Sequence, residues 1–136
     1  FNIVKLEGDK AVLMSKVELE NSYYATFVAD GLAYLSSGGY WWGSTGNLTV
    51  IALANPETPA VYKNALPSGG FNMVGVKNRK VFATVSGGVA CYDSTDPAQL
   101  KLDEFKSQGG WYDRVVFTDT EAYLPLGYYG LWVKGL

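Results

Sequence analysis

Histidine is absent from the 136-residue sequence, and cysteine occurs only once, as Cys91. Without histidine the chain cannot build a Ser-His or Cys-His catalytic pair or a histidine-ligated metal site. A single cysteine cannot form an internal disulfide, so cysteine usage does not indicate the redox compartment. Cys91 lies in an apolar run, and we expect a small buried residue rather than a reactive thiol.

Charged residues are also few, at 18% of the chain, and the formal net charge is −2. No basic surface of the kind that binds nucleic acid is therefore expected. No apolar run approaches the roughly 18 residues that cross a bilayer. The sequence shows no signal peptide and begins inside an apolar run, which suggests a processed or truncated product. The 16 glycines and 15% aromatic residues are typical of an all-β protein with tight turns.

A repeat of about 41 residues runs along the chain. The turns Asn55-Pro56 and Asp96-Pro97 are 41 residues apart, and so are two polar turns that each enter an apolar strand, at Asn78 and Asp119. The preceding turn of this second kind, at Asp30, is 48 residues before Asn78. The difference arises because the segment SSGGYWWGSTGN is about seven residues longer than its counterpart in the next repeat.

A period near 41 residues with about four strands per unit is the sequence mark of β-propeller blades. We therefore predict an all-β propeller segment of about three four-stranded antiparallel blades. Residues 1–22 would end one blade, 23–68 would form a blade with a loop insertion, 69–108 another blade, and 109–136 three strands of a further blade. The predicted strands are 2–6, 11–19, 23–29, 32–36, 47–53, 60–66, 71–77, 80–85, 88–93, 99–105, 111–118, 122–126 and 129–134. An open twisted sandwich is the alternative, although it has no reason to repeat at constant spacing.

The order of apolar strand, Asn-Pro or Asp-Pro turn, apolar strand and Gly-rich turn resembles LVIVD-type and related propeller repeats. The second proline of the turn is present as Pro59 and is replaced by Leu100 in the next repeat. The ending AYLPLGYYGL, residues 122–131, resembles the C-terminal propeller segment of such proteins. The resemblance implies a secreted, periplasmic or cell-surface protein of bacteria or archaea.

The predicted blades do not make a complete ring, since closed propellers have about 4–8 blades. An open arc would leave one apolar sheet face uncovered at each end, which is rare on soluble monomers. We expect the ring to be completed by another part of a precursor, by a separate chain or by a second copy of this one.

Aromatic residues gather on one predicted rim, where the loops between second and third strands and the loops entering first strands emerge. Such rings stack on sugars and dominate protein interfaces, so this rim is the candidate surface for a partner chain or a glycan. The alternative is that Tyr23, Phe71 and Trp111 begin inner strands and fill the channel. The candidate binding residues are Tyr23, Tyr24, Tyr40, Trp41, Trp42, Trp111, Tyr112, Tyr128 and Tyr129.

Catalytic candidates are limited to carboxylates: Asp113 beside Arg114, and Asp93, Asp96, Asp103 and Glu104 elsewhere. A paired-carboxylate glycosidase is conceivable, but Asp113-Arg114 is expected to be a local ion pair. The run DSTDP lacks the glycine and glutamate of a calcium loop, and no glycine pair opens a helix. We therefore predict no metal, no cofactor and a non-catalytic interaction module. The alternatives are a lectin-like carbohydrate-binding module and a subunit of an enzyme whose catalytic groups lie on another chain.

Overall fold

A computed structural model describes residues 1–20, 23, 25–37, 46–66, 71–107 and 114–136. These residues form thirteen β-strands, arranged in four antiparallel sheets, and one short 3-10 helix. The prediction of an all-β chain is confirmed, and within the described ranges none of the four sheets closes on itself.

Each sheet is a meander, because neighbouring strands follow one another along the chain. Sheet I contains β1 (Asn2–Glu7) and β2 (Lys10–Lys16). Sheet II contains β3 (Ala25–Ala29), β4 (Leu32–Ser37), β5 (Asn47–Ala52) and β6 (Ala60–Tyr62). Sheet III contains β7 (Phe71–Lys77), β8 (Lys80–Val85), β9 (Gly88–Asp93) and β10 (Lys101–Ser107). Sheet IV contains β11 (Val116–Phe117), β12 (Glu121–Pro125) and β13 (Leu131–Gly135), with the 3-10 helix (Gly127–Tyr129) before β13.

Tight two-residue turns join the first and second strands of sheets II and III. Asp30 and Gly31 have φ of 53° and 73°, and Asn78 and Arg79 have φ of 49° and 60°. Positive φ at both central positions is the geometry that matches the twist of the flanking strands, and Asp and Asn tolerate it well. The two turns also contact each other, because the Arg79 N–H donates to Asp30 Oδ2 at 2.7 Å.

A backbone hydrogen bond recurs in the three sheets that contain this first turn. The residue after the third strand donates its N–H to the carbonyl oxygen of the turn residue: Leu53 to Gly31 at 2.9 Å, Ser94 to Arg79 at 2.8 Å, and Leu136 to Thr120 at 2.9 Å. The donors are spaced by 41 and 42 residues. The repeat read from the sequence is therefore a repeat of local structure.

The sheets pack against one another face to face. We call the side of a sheet that is turned to the next sheet along the chain its forward face, and the opposite side its back face. The forward face of sheet II packs on the back face of sheet III, and the forward face of sheet III packs on the back face of sheet IV. The back face of sheet II is covered by residues flanking sheet I, including Phe1, Val17 and Leu19. Sheets II and III are thus buried on both faces, which explains why β4, β5, β8 and β9 are apolar almost throughout.

The observed strands agree with the predicted ones where tight turns join them, and they differ where apolar loop residues pack into the core. The bounds of β7, β8 and β9 match residue for residue. The predicted strand 60–66 ends early, at Tyr62, because Asn64 adopts a φ of 56° and the Ala65 N–H bonds to Leu48 O at 2.9 Å. Residues 96–107 form a turn followed by β10, as predicted, and the Ala98 N–H donates to Asp96 Oδ1 at 3.0 Å.

Candidate functional site

Two exposed tyrosines lie on the 3-10 helix between the second and third strands of sheet IV. Gly127 and Gly130, with φ of 58° and 93°, let the chain turn out of β12 and back into β13. The Leu126 N–H bonds to Gly130 O at 2.7 Å and closes the loop. Tyr128 is fully exposed, and Tyr129 is 60% exposed. Both candidates from the sequence are thus available to a partner or ligand.

Tyr23 occupies a different environment from these two residues. Its side chain is half-buried and packs with the cluster of Ala33, Leu35 and Ile51 on the back face of sheet II. Its hydroxyl lies 3.0 Å from Thr49 Oγ1. Tyr23 therefore contributes to packing between sheets I and II.

The remaining aromatic candidates fall outside the residues that the structure describes. They are Tyr24, Tyr40, Trp41, Trp42, Trp111 and Tyr112.

A charged cluster bridges sheets III and IV on the side of β10. Asp103 lies 3.2 Å from Lys80 Nζ and 3.1 Å from Lys134 Nζ, and Glu104 lies 3.1 Å from Lys134 Nζ. Asp93 bonds to Lys80 at 2.9 Å and accepts the Thr95 N–H at 2.8 Å.

These lysines determine the proton affinity of the carboxylates. Hydrogen bonds from Lys134 and Lys80 lower the pKa of Asp103, and those from Lys106 and Lys134 lower the pKa of Glu104. Hydrogen bonds from Thr95 and Lys80 also lower the pKa of Asp93. A general acid for glycoside cleavage needs a raised pKa. The cluster is therefore suited to joining two sheets rather than to proton transfer.

No group of three or more Cys, Asp or Glu residues in the described part of the chain is arranged to hold a metal ion. Asp113, the partner expected for Arg114, lies outside that part.

Cys91 is buried and has no disulfide partner, as expected from the sequence. It faces sheet IV, and its Sγ lies 3.9 Å from Asp103 Oδ2. Burial, with a smaller contribution from Asp103, raises the pKa of the thiol to about 12. A thiol with this pKa carries almost no thiolate at neutral pH, so Cys91 is not a nucleophile.

Two apolar sheet faces at the ends of the stack are uncovered among the described residues. On the back face of sheet I, the side chains of Val4, Leu6 and Leu13 are exposed. On the forward face of sheet IV, Leu131 and Val133 are exposed. The sequence predicted that such faces would exist but did not identify their residues. On sheet IV, the alternation of apolar residues marks the face but not its exposure, because the equivalent residues of sheets II and III are buried.

Among the described residues, no helix has the length and apolar character needed to span a membrane. No family model matches the chain, and no curated protein or solved structure matches it either.

Proposed function

We propose that the chain is a section of a β-propeller in which sheets I to IV are successive blades. Three features support this architecture over a two-layer sandwich. Sheets II and III are buried on both faces, whereas each sheet of a sandwich buries only one. The packed sheets repeat at nearly constant spacing, and the first strands β3 and β7 are in contact.

The first strand of sheet IV continues this row of first strands. A Cβ on Gly75 of β7 would lie 2.9 Å from the Phe117 ring of β11 and 3.2 Å from Val115 Cβ. Glycine at this position lets β7 and the segment leading into β11 approach closely. First strands that converge on one side, with later strands fanning outward, are the arrangement that blades adopt around a central axis.

The function we propose is that of a non-catalytic interaction module of a secreted or cell-envelope protein. The observation that carries it is the full exposure of Tyr128 on a structured loop, next to the exposed Tyr129. Tyrosine supplies a large contact area at a small cost in side-chain entropy and is enriched where proteins bind partners. The proposal extends to the other aromatic residues predicted on the same rim.

Carbohydrate binding is the second candidate, and the same exposed rings favour it. A tyrosine with a free ring face can stack on a sugar, and the hydroxyl remains available for a hydrogen bond. Partner binding ranks first because Leu131 and Val133 lie close to this loop in the chain and add exposed aliphatic area, which serves a protein surface better than a glycan.

Native mass spectrometry of the chain isolated from its source tests the proposal. The wild-type chain is expected to carry a bound protein partner, and the variant Tyr128→Ser/Tyr129→Ser is expected to lose it while remaining folded by circular dichroism. The matched control is Leu102→Ser, which removes an exposed apolar side chain of β10, away from this loop. A wild-type chain without partner or ligand, or a partner retained by the double variant, would refute the proposal.

Binding of glycans, measured by tryptophan or tyrosine fluorescence, separates the two candidates. Replacement of Trp41 and Trp42 by Ala should abolish sugar binding if the module is a lectin. The same replacement should weaken assembly if the rim is a protein interface. Co-purification of a larger chain that carries a cofactor would instead indicate an enzyme subunit.

A further inference from the structure

The last sheet repeats the residue pattern of two sheets whose forward faces are covered. The third residue of the second strand is Tyr34 in sheet II, Phe82 in sheet III and Tyr123 in sheet IV. Strand pairing places each of them beside a residue of the third strand, Val50, Cys91 and Val133 respectively. These three pairs therefore occupy equivalent places on the forward faces.

Equivalent positions differ in exposure because sheet IV, among the described residues, has neither a following sheet nor the fourth strand that flanks β5 and β9. Val50 and Cys91 are 0% exposed, and Val133 is 46% exposed. Two residues earlier on the third strand, Leu48 and Val89 are also 0% exposed, whereas Leu131 is 56% exposed. The forward face of sheet IV thus has the composition of a buried sheet face without its cover.

The two covered faces show what kind of surface fits. Sheet III covers sheet II with Val81 and Ala83 of its second strand, and sheet IV covers sheet III with Ala122 and Leu124 of its second strand. The first interface also provides a hydroxyl partner, since Tyr34 Oη and Ser94 Oγ lie 2.8 Å apart in the buried interior. The fitting surface is therefore a sheet face with small aliphatic residues on its second strand and a buried hydroxyl opposite the tyrosine.

We infer that the forward face of sheet IV, formed by Tyr123, Leu131 and Val133, binds the back face of a further β-sheet of this repeat type. The inference rests on the propeller part of the proposed function. The partner sheet presents small aliphatic side chains and a hydroxyl that takes the hydrogen bond Tyr123 Oη now donates to Glu121 Oε2 at 2.6 Å.

A second copy of this chain does not provide that sheet. The uncovered back face in the described residues belongs to sheet I, which has two strands. Ser15 of β2 donates to Pro56 O, in the loop between β5 and β6, so sheet I lies against the outer strands of sheet II. Sheet I therefore has no equivalent of the second strand that covers both internal interfaces, and the partner sheet comes from outside these residues.

An extended chain tests the inference directly. Leu136 is equivalent to Leu53, so a second copy of residues 54–136 placed after Leu136 continues the repeat in phase. The copy supplies a fourth strand for sheet IV and then a copy of sheet III, whose Ser94 would meet Tyr123. The substitution Leu131→Lys is made in the original segment of both the 136-residue chain and the extended chain. Urea unfolding of each protein is then followed by circular dichroism.

Leu131→Lys is expected to change the unfolding equilibrium constant by less than about threefold in the 136-residue chain, because the side chain is exposed. In the extended chain the same change should raise the constant by more than about tenfold, because a lysine would be buried without a partner. The matched control is Leu102→Lys, also made in the original segment, because Leu102 on β10 is 59% exposed. It should have the same small effect in both chains.

Equal effects of Leu131→Lys in the two chains would overturn the inference. It would also be overturned if light scattering showed the 136-residue chain to be a dimer that Leu131→Lys dissociates, since the occupant would then be a second copy. Should the long extension fail to fold, the shorter extension 54–107, which supplies the fourth strand and the copy of sheet III with its Ser94, gives the same comparison. The variant Tyr128→Ser/Tyr129→Ser tests the aromatic rim alone, and Leu131→Lys tests the forward face of sheet IV alone. Failure of the proposed function is therefore distinguishable from failure of this inference.

Discussion

The buried hydrogen bond between Tyr34 and Ser94 joins sheets II and III and can be measured by a double-mutant cycle. Ser94 Oγ donates its single proton to Arg79 O at 2.9 Å, so Tyr34 must be the donor in the 2.8 Å bond to Ser94 Oγ. Both side chains are completely buried. The two single substitutions therefore leave different groups behind.

Tyr34→Phe removes the donor and leaves Ser94 with its bond to Arg79, so the expected loss of stability is about 1 kcal/mol. Ser94→Ala leaves the Tyr34 hydroxyl buried with no acceptor, which is expected to cost about 1–3 kcal/mol. Arg79 O remains bonded to the Ser94 N–H at 2.8 Å, so it adds little to this cost. The double variant leaves no buried hydroxyl without a partner. Its loss of stability should therefore be smaller than the sum of the losses of the two single variants by about 1–2 kcal/mol.

Urea denaturation of the four proteins, followed by far-UV circular dichroism at pH 7, provides the free energies of unfolding. The Ser94→Ala variant should be the less stable of the two singles. Additivity of the two changes within about 0.3 kcal/mol would refute the reasoning, because distant and independent sites behave in that way. It would mean that sheets II and III do not share this contact in solution.

Four further predictions follow from the geometry of turns, strands and charges. Arg79→Gly should raise the free energy of unfolding by about 0.5–1 kcal/mol, and with it the urea midpoint, because glycine adopts a φ of 60° without strain and the backbone hydrogen bonds are kept. A lower midpoint would contradict this. Gly88→Ala should cost at least about 2 kcal/mol, since its Cβ would lie 2.0 Å from Lys106 O, and an unchanged midpoint would contradict it. Asp103→Asn should lower stability at pH 7 by about 1 kcal/mol. The pKa of Asp103 is lowered in the folded chain, so its stabilisation is complete above the pKa of the unfolded chain, about 4, and is lost at more acid pH. The urea midpoints of the wild-type and Asp103→Asn proteins should therefore converge at acid pH, and midpoints that stay apart would contradict this. Cys91 should react with a thiol reagent at pH 8 only after urea unfolds the chain, and rapid reaction of the native protein would contradict its raised pKa.

The sequence predicted strands best where a tight turn marks both ends. The strands β8 and β9 lie between the Asn78-Arg79 turn and the turn at residues 95–99, so local backbone chemistry determined their limits. The strand predicted at 60–66 was too long because the apolar Ala65 and Leu66 enter the core from a turn. The apolar pattern there reflects burial and not strand pairing, and a single sequence does not distinguish the two.

The candidate site was predictable only in part. Aromatic residues in a Gly-flanked loop indicated Tyr128 and Tyr129, and both are exposed. The sequence did not separate Tyr23 from them, because its contact with Thr49 joins residues 26 positions apart. Leu131 and Val133 could not be recognised as exposed, since Leu48 and Val50 show the same alternation and are buried. Exposure at these positions depends on whether a neighbouring sheet is present, which is not a local property.

The two internal interfaces use different chemistry, and this difference protects the order of assembly. A tyrosine hydroxyl meets Ser94 at one of them, whereas the other packs Phe82 edge to face against Trp132, with ring centroids 6.2 Å apart, and adds the Lys134 ion pairs. If sheet IV docked where sheet III belongs, Tyr34 would lose its acceptor and Lys134 its carboxylates. Misassembly is a characteristic failure of repetitive chains, and here it would be penalised by stranded polar groups rather than by shape alone.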